Sequence, residues 1–315
     1  MTPAPRMVVV GLHPAVDRTI EIPLLRAGGM IRGRQALIEP AGKGMNLARD
    51  LAALGQPVTA LGFLGREDAV FFLSALPEEL VAPRFVTVPG AARVNITLIE
   101  EKTRRDTHIT SGALEVRRKD VAAFARTLRD NVRRGDWVAF TGSRPRGFSE
   151  ADFLRALRAC NRQGARLCVD TGGDLLRKVL AFRPWAIKPN RSELQDLVDR
   201  PLRTLPRVLA AARSLLDRCP NVVVSLGGEG ALLVTPGGAW LGIETGRAPV
   251  AHTVGCGDAL FAGFLHASGR GLAGAEAIRH AVACGSACVR THSACFASAR
   301  EPARLLPRIR VTPVG

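Results

Sequence analysis

The sequence predicts an α/β fold in which a mainly parallel sheet is covered by helices. Short runs of β-branched residues alternate with helical patterns along most of the 315 residues. Hydrophobic residues make up 47% and charged residues 23% of the chain, which are ordinary values for a globular protein. The apolar runs are far shorter than the roughly 18–20 residues that cross a membrane, so a soluble protein without a membrane partner is expected.

The main sheet is predicted from short apolar runs that are rich in β-branched residues. These runs cover residues 7–10, 58–63, 136–140, 166–169, 185–188, 222–226 and 231–234. Helical patterns are found at residues 45–54, 120–133, 150–163, 193–198, 205–217, 258–267 and 275–289. Strands that are separated by helices pair in parallel, so this order predicts a parallel sheet.

A second, smaller sheet is predicted in the first third of the chain. Residues 19–22, 35–39, 84–88 and 94–99 alternate polar with apolar side chains, and helices do not separate all of them. A sheet with one apolar face needs a cover, either the cleft of the main domain or a second subunit. No internal repeat or Pro/Gly-rich linker divides the chain, so residues 1–315 are expected to form a single domain.

The net charge of +16 makes nucleic acid the first class of partner to consider. The basic residues, however, are nearly all arginines scattered along the chain, and aromatic residues are 5% with no tyrosine. A nucleic-acid-binding surface would combine clustered cations with aromatic side chains. The charge therefore indicates a diffusely positive surface that attracts anionic small molecules, and nucleic acid is not an expected partner.

The cysteine pattern and the N-terminal segment both favour a cytoplasmic protein. Seven cysteines are an odd number and follow no secreted disulfide framework, which predicts reduced thiols packed as small apolar side chains. Residues 1–6 lead into a strand pattern without the apolar core or cleavage site of a signal peptide.

The clearest chemical motif is a glycine-rich turn that opens an apolar helix, at residues 253–264. The backbone N–H groups of Gly255, Cys256 and Gly257 can converge on an anion there, and the helix dipole adds to the attraction. Asp258 lies in the first helical turn, where its carboxylate either caps the helix or takes part in chemistry beside the anion.

A second glycine-rich helix start lies at residues 39–48 and contains Lys43 and Asn46. It is not a Walker A loop, because the spacing differs and no Ser or Thr follows the lysine. Gly42 and Gly44 would let the backbone approach a ligand closely, although a simple turn before a helix has the same pattern.

Two further segments connect predicted strands to polar residues. Asn190 with Glu193 three residues later predicts a capping box, or alternatively oxygen ligands for a hydrated Mg²⁺. The glycines of residues 224–231 either open a nucleotide shelf or form a hairpin. Asp17 and Arg93 are polar residues at probable strand ends.

Together these motifs resemble the PfkB group of ribokinase-like carbohydrate kinases, over about residues 8–289, and the phosphosugar branch most of all. Both signatures of that family are present in order, at residues 42–49 and 253–263. Between them lie the sequence Lys188-Pro189-Asn190-x-x-Glu193 and the sequence Ser225-Leu226-Gly227.

The resemblance implies a three-layer αβα sandwich with a mainly parallel central sheet and a small β lid. The lid would be formed by inserted strands at about residues 18–40 and 84–110, and it could pair with a second subunit's lid in a homodimer. The implied reaction transfers the γ-phosphate of ATP, with Mg²⁺, to a hydroxyl group of a phosphorylated ketohexose. Fructose 1-phosphate is the first expectation, and fructose 6-phosphate or tagatose 6-phosphate the next.

The resemblance also implies a role for each motif residue. Asp258 would be the catalytic base, and Gly255, Cys256 and Gly257 the anion hole. The implied substrate contacts are Asp17, Gly42, Asn46 and Ser143 for the sugar, and Arg32, Lys43 and Arg93 for its existing phosphate. The implied nucleotide contacts are Lys188, Ser225, Gly227 and Gly230. Asn190 and Glu193 would lie near Mg²⁺, either in direct contact or through water.

Three departures from the family pattern surround the sugar. The family's Asn-Pro is His13-Pro14 here, the third residue of Gly-Ser-Leu-Pro is Arg144, and Cys256 replaces an alanine. The identity of the sugar and the position of its phosphate therefore stay open. A kinase of an unphosphorylated sugar or nucleoside, and a sugar-phosphate sensor without catalysis, remain alternatives.

Overall fold

Two β-sheets organise the chain. The computed structural model, which describes residues 5–103, 105–246 and 253–315, has a ten-stranded sheet and a separate four-stranded sheet. The strands are β1 (Met7–Gly11), β2 (Ala15–Ile22), β3 (Arg34–Ala41), β4 (Val58–Gly65), β5 (Val81–Val88), β6 (Arg93–Glu100), β7 (Asp106–Ser111), β8 (Trp137–Thr141), β9 (Arg166–Asp170), β10 (Ala186–Ile187), β11 (Asn221–Ser225), β12 (Ala231–Thr235), β13 (Gly238–Glu244) and β14 (Ile309–Pro313). The helices are α1 (Lys43–Ala53), α2 (Ala69–Leu73), α3 (Arg118–Asn131), α4 (Glu150–Arg162), α5 (Asp174–Val179), α6 (Arg191–Val198), α7 (Leu205–Arg213), α8 (Cys256–Gly269), α9 (Gly274–Arg290) and α10 (Arg300–Leu305).

The large sheet is mainly parallel, as predicted. Its strand order is β14-β13-β12-β11-β10-β9-β8-β1-β4-β5. The pairs from β5 to β11 are parallel, whereas β12, β13 and β14 add an antiparallel edge. The central strand β1 is a continuous apolar run because both of its faces are covered.

The hydrophobic core forms one layer on each face of the large sheet. Val8 and Val10 of β1 belong to a cluster with side chains of α3, α4, α6 and α7. Met7 and Val9 belong to a second cluster with side chains of α1, α8 and α9. Successive strand residues point to opposite faces, so one strand contributes to both layers. The αβα sandwich expected from the sequence is therefore confirmed.

The small sheet has the order β3-β2-β6-β7, and one of its predicted strands was wrong. Residues 84–88 were expected in this sheet, but they belong to β5, which pairs in parallel with β4 at the edge of the large sheet. An edge strand exposes part of its surface, so it shows the same polar alternation as a strand in a small open sheet. The fourth strand of the small sheet is instead β7, which pairs with β6; it overlaps the range 84–110 that the family resemblance implied for the lid, although no alternating pattern predicted it.

None of the helices in the described ranges is long and apolar enough to cross a membrane. Six of the seven cysteines are buried, and Cys256 is half-buried at the start of α8. Packing of the thiols as small apolar side chains agrees with the expectation from the sequence.

Candidate active site

A cavity of about 320 Å³ lies where the small sheet meets the helix starts of the main domain. Most of the residues that sequence analysis selected line it together. From the starts of α1 and α8 come Gly42, Lys43, Asn46, Gly255, Gly257 and Asp258, from the start of α6 come Asn190 and Glu193, and from the sheets and their ends come Asp17, Arg93, Lys188 and Ser225. Residues more than two hundred positions apart in the chain are thus brought to one place.

Asp258 lies in the first turn of α8, and its side chain is buried. The side-chain amide Nδ2 of Asn46, on α1, donates a hydrogen bond of 2.9 Å to its Oδ2 atom. Gly255 precedes the helix with a φ of 77°, and a Cβ atom there would lie 2.0 Å from the carbonyl oxygen of Ala294. Only glycine fits this position, and the N-terminus of a helix such as α8 attracts an anion through its backbone N–H groups and its dipole.

The environment of Asp258 suits a general base. Burial and the negative charge of Asp170 raise the pKa of Asp258 to about 7, although Lys43, Lys188 and the Asn46 hydrogen bond favour its ionised form. A carboxylate with a pKa near the operating pH can both be ionised and accept a proton effectively.

Asp170, at the end of β9, is a site residue that sequence analysis missed. It is almost completely buried, and it accepts a hydrogen bond of 2.9 Å from Lys43 Nζ while Lys188 Nζ lies 3.1 Å from its other oxygen. Burial alone would raise the pKa of Asp170, but the charges of Lys188 and Lys43 hold it below its usual range. The available signal was a carboxylate that follows a buried strand of a parallel sheet, where ligand sites are common.

The Asp170 pair changes the expected roles of the two lysines. Lys43 was assigned to the substrate's phosphate, yet its ammonium is directed to Asp170. Lys188 Nζ lies 3.4 Å from the position that a Cβ atom on Gly257 would take, so this cation lies beside the expected anion hole.

The small sheet supplies the opposite wall of the cavity. Asp17 on β2 accepts a hydrogen bond of 2.8 Å from Asn95 on the paired strand β6. Burial raises the pKa of Asp17, which the Asn95 hydrogen bond and Arg93 partly oppose. The Nε atom of Arg93 is buried without a hydrogen-bond partner among the described residues, so it leaves a donor for a ligand.

A larger cavity of about 870 Å³ adjoins this site and shares Gly42, Lys43 and Arg93 with it. Ser143 lines this larger space, and its hydroxyl lies 3.1 Å from His13 Nδ1. Arg144 and Arg146 also line it, and sequence analysis did not assign them a role. Among the described residues, Arg32 lies in the exposed loop between β2 and β3 and lines neither cavity.

A third cavity, of about 430 Å³, lies on the other side of the α8 start. Ser225, Gly227 and Gly230, which follow β11, line it together with Cys256 and Gly257. The residues expected on the nucleotide side are therefore gathered here, except Lys188, which lines the cavity of Asp258.

The capping box predicted for α6 is present. Asn190 Oδ1 accepts from the backbone N–H of Glu193 at 2.8 Å, and Glu193 Oε2 accepts from the N–H of Asn190 at 2.8 Å. The Oε1 atom of Glu193 takes no part in the box and lies near Gly172. Oxygen atoms fit Mg²⁺, and this ion commonly uses one carboxylate together with waters and phosphates.

Comparisons with known proteins agree with this geometry. A family model described as "pfkB family carbohydrate kinase" matches residues 6–301. The 1-phosphofructokinase of Rhodobacter capsulatus is 36% identical over 280 residues, which are 88% of each chain. The 1-phosphofructokinase of Bacillus subtilis is 29% identical over 304 residues, 96% of this chain and 98% of the relative. Phosphofructokinase-2 from Escherichia coli, in complex with substrates and products, superimposes with a TM-score of 0.90 at 26% identity over 96% of this chain and 98% of that structure.

The family match and the curated relatives show that the protein is a sugar kinase, a phosphotransferase whose acceptor is an alcohol group. The family match spans nearly all of the described chain. This protein belongs to the PfkB family of carbohydrate kinases. Membership of the family implies ATP as a substrate, and Mg²⁺ usually accompanies it.

Proposed function

We propose that the protein is an ATP- and Mg²⁺-dependent 1-phosphofructokinase, which converts fructose 1-phosphate to fructose 1,6-bisphosphate. The observation that carries the proposal is the buried Asp258 at the N-terminus of α8, with the cation Arg93 lining the same cavity. The relatives named 1-phosphofructokinase support this choice of sugar. The cytoplasmic location expected from the sequence stays a prediction.

In the proposed reaction Asp258 accepts the proton of the attacking sugar hydroxyl group. The oxygen then forms a bond to the γ-phosphorus of ATP, and the bond from that phosphorus to the β–γ bridging oxygen breaks to leave ADP. The N–H groups at Gly255, Cys256 and Gly257, with Lys188 beside them, would stabilise the charge on the transferred phosphoryl group. Phosphoryl transfer depends mainly on such positioning and electrostatic stabilisation.

Asn46 and Asp17 would position the sugar and the base. Asn46 holds Asp258 through its 2.9 Å hydrogen bond, and Asp17 is fixed by Asn95 on the opposite wall. Gly42 would let the backbone approach the sugar closely, since a side chain there would lie 3.1 Å from Pro14 Cα at a φ of 102°.

The nucleotide would occupy the cavity of Ser225, Gly227 and Gly230, so that its phosphates reach the α8 start from that side. Glu193 Oε1 and the adjoining Asn190 would hold Mg²⁺, directly or through water. When bound, this ion neutralises charge on the phosphates of the donor.

The charge near the sugar favours a phosphorylated substrate. Arg93, Arg144 and Arg146 line the larger cavity next to Ser143, and a neutral sugar has no use for several cations. We assign the phosphate of the substrate to this end, in place of Lys43, which is paired with Asp170, and Arg32, which is exposed in its loop.

The test is ADP release from Mg-ATP with fructose 1-phosphate, fructose 6-phosphate, tagatose 6-phosphate, fructose, ribose and adenosine. We expect the highest kcat/KM with fructose 1-phosphate. In Arg93→Ala the KM for the phosphosugar should rise about 10-fold or more, since a charged hydrogen bond contributes about 1.5–3 kcal/mol.

Arg126→Ala is the matched control, because Arg126 is exposed on α3 away from the cavities, and its KM should equal that of the parent. A higher kcat/KM with fructose 6-phosphate or tagatose 6-phosphate would move the assignment to the corresponding kinase. Preference for a neutral acceptor would remove the phosphosugar proposal, and binding without turnover would favour a sensor.

We also propose that the protein forms a dimer through the outer face of the small sheet. Ile38, Ile96 and Ile109 lie in one row across the sheet, with Arg18 of β2 between Ile38 and Ile96. Asp17 and Asn95 alternate with this row and lie on the other face, toward the active site. Ile38 and Ile109 are exposed at 37% and 46%, and Leu25 and Met30 in the β2–β3 loop are exposed at 41% and 92%. A tetrameric inhibited form is described for the related phosphofructokinase-2 of Escherichia coli.

Sedimentation should show a dimer for the parent at about micromolar concentration and a monomer for Ile109→Glu, because a charge in an apolar interface is costly to desolvate. Val70→Glu, at an exposed position on α2, is the control and should sediment like the parent. A parent that is monomeric under these conditions contradicts the proposal.

A further inference from the structure

A buried carboxyl group lies behind the active site and has no role in the proposed reaction. Asp50, on α1, is 0% exposed, and its carboxyl oxygens make no well-formed hydrogen bond among the described residues, although the Phe296 N–H and the Cys295 thiol lie near them. The neighbouring Arg49 is directed elsewhere, to the carbonyl oxygen of Pro40 and to Glu39. A buried carboxyl group without an ion pair is strongly disfavoured in its charged form.

The groups around Asp50 also favour its neutral form. Asp258 on α8 is close enough to interact electrostatically with Asp50. Cys284 and Cys288 on α9, and Cys295 after that helix, also interact with it. Burial, and after it the negative charge of Asp258, raise the pKa of Asp50 well above its usual range. The charge of Arg49 and the contacts with the Phe296 N–H and the Cys295 thiol partly oppose this rise. These surroundings favour the neutral, protonated form of Asp50.

Asn46 lies one turn from Asp50 on the same helix, and its side-chain oxygen receives no hydrogen bond from the described residues. Its Nδ2 atom donates to Asp258, but its Oδ1 atom is buried without a partner among the described residues. Residues 46 and 50 are four positions apart, so their side chains are neighbours on one face of α1. Both side chains are buried there.

The protonation state of Asp50 decides how Asn46 is used. An ionised Asp50 would only accept hydrogen bonds, and it would compete with Asp258 for the same Asn46 amide group. A protonated Asp50 has one O–H donor, which matches the missing partner of Asn46 Oδ1. The neutral acid thus removes the competition and satisfies a buried acceptor.

We propose that Asp50 is a positioning residue: as a neutral carboxylic acid it donates its O–H to Asn46 Oδ1 and thereby holds Asn46 Nδ2 on Asp258. The chain of donors runs in one direction, from Asp50 through Asn46 to the base. No proton is transferred along it during turnover. The inference deepens the proposed function, because it rests on Asp258 being the base.

The kinetic test compares Asp50→Asn with Asp50→Ala. The asparagine is neutral and carries an N–H donor. The kcat of Asp50→Asn should therefore stay within about twofold of the parent value, and the midpoint of the acid limb of kcat/KM within about 0.3 pH unit. The alanine removes the donor, so kcat should fall about 10-fold with little change in the KM for the sugar, as expected for loss of one hydrogen bond.

Three results would overturn the proposal. They are an Asp50→Ala enzyme with the kcat of the parent, an Asp50→Asn enzyme as impaired as Asp50→Ala, and a shift of the acid limb to lower pH in Asp50→Asn. The last result would mean that the parent carries a negative charge at residue 50, because removing that charge lowers the pKa of Asp258.

Two measurements do not depend on turnover. The infrared carbonyl stretch of a protonated carboxylic acid should be present at about pH 8 in the parent and in Asp258→Asn, and absent in Asp50→Asn. Absence of the band from the parent refutes a neutral Asp50. If the protein were inactive on every sugar and the band were still present, the proposed kinase activity would be wrong while Asp50 would still be shown to be neutral.

The second measurement is the melting temperature as a function of pH. Folding raises the pKa of Asp50, so above about pH 4 the unfolded chain has lost this proton while the folded chain keeps it. Because the folded state then binds more protons, its stability falls as the pH rises. Asp50→Asn should therefore gain in melting temperature relative to the parent between about pH 5 and pH 8. An unchanged difference across this range contradicts the proposal.

Discussion

Asp258→Asn is expected to lower kcat by about 10²–10⁴-fold, the usual contribution of a general base. Asparagine keeps the shape of the side chain and can still accept the hydrogen bond from Asn46, but it cannot take the proton of the sugar hydroxyl. Substrate binding should persist, so the loss should appear in kcat far more than in KM. Steady-state kinetics with Mg-ATP and fructose 1-phosphate measure both.

The pH profile of the parent provides an independent check on the same residue. The pKa of Asp258 is raised to about 7, so the group is protonated below that pH and is then unable to act as a base. The value of kcat/KM should therefore fall about 10-fold for each pH unit below about pH 7. The control Asp130→Asn, at an exposed position on α3, should leave kcat and this limb unchanged. An Asp258→Asn enzyme within tenfold of the parent would require a different base.

Asp170→Asn is expected to destabilise the protein by about 3–5 kcal/mol, because it leaves the buried Lys188 and the adjoining Lys43 without their shared counter-charge. Chemical denaturation measures this change in the free energy of unfolding. The pKa of Asp170 is held low in the folded protein, so its contribution is present at neutral pH and is lost as the pH falls below the ordinary aspartate value of 3.8. The difference between Asp170→Asn and the parent should narrow accordingly in acid.

Asp199→Asn is the matched control for this substitution. Asp199 pairs with Arg177 at 3.0 Å, but both side chains are exposed, so loss of the pair should change stability little. Asparagine also tolerates the positive φ of 51° at this position. In Asp170→Asn the acid limb of kcat/KM should in addition shift to lower pH, since the negative charge that raises the pKa of Asp258 is removed. Equal stability of the two variants would show that the Asp170 pair contributes no more than a surface pair.

The elements of the large sheet were predictable because their residues experience the same environment along their length. β1 and β8 are buried on both faces and are therefore continuous apolar runs. The edges were not predictable in this way. Strand β5 alternates because it is an edge strand, and β13, with glycines inside it, shows a weak strand pattern of its own.

The candidate site was predictable wherever a local backbone feature served the chemistry. The glycines before α1 and α8 and the capping box at Asn190 depend on turns and helix starts that neighbouring residues determine. The role of Lys43 was not local in this sense, because its partner Asp170 is 127 positions away in sequence.

By itself, the sequence determined the α/β class, the two glycine-rich helix starts and the presence of a carboxylate in the first turn of α8. These follow from periodicity and from backbone requirements that extend over a few residues. The tertiary structure decided which charges meet: it placed Asp170 between Lys43 and Lys188, brought Arg93 to the cavity of Asp258, and buried Asp50 one turn from Asn46 on α1. Electrostatic energies depend on distance in space and on burial, and the packing of the sheets and helices alone sets both of these quantities.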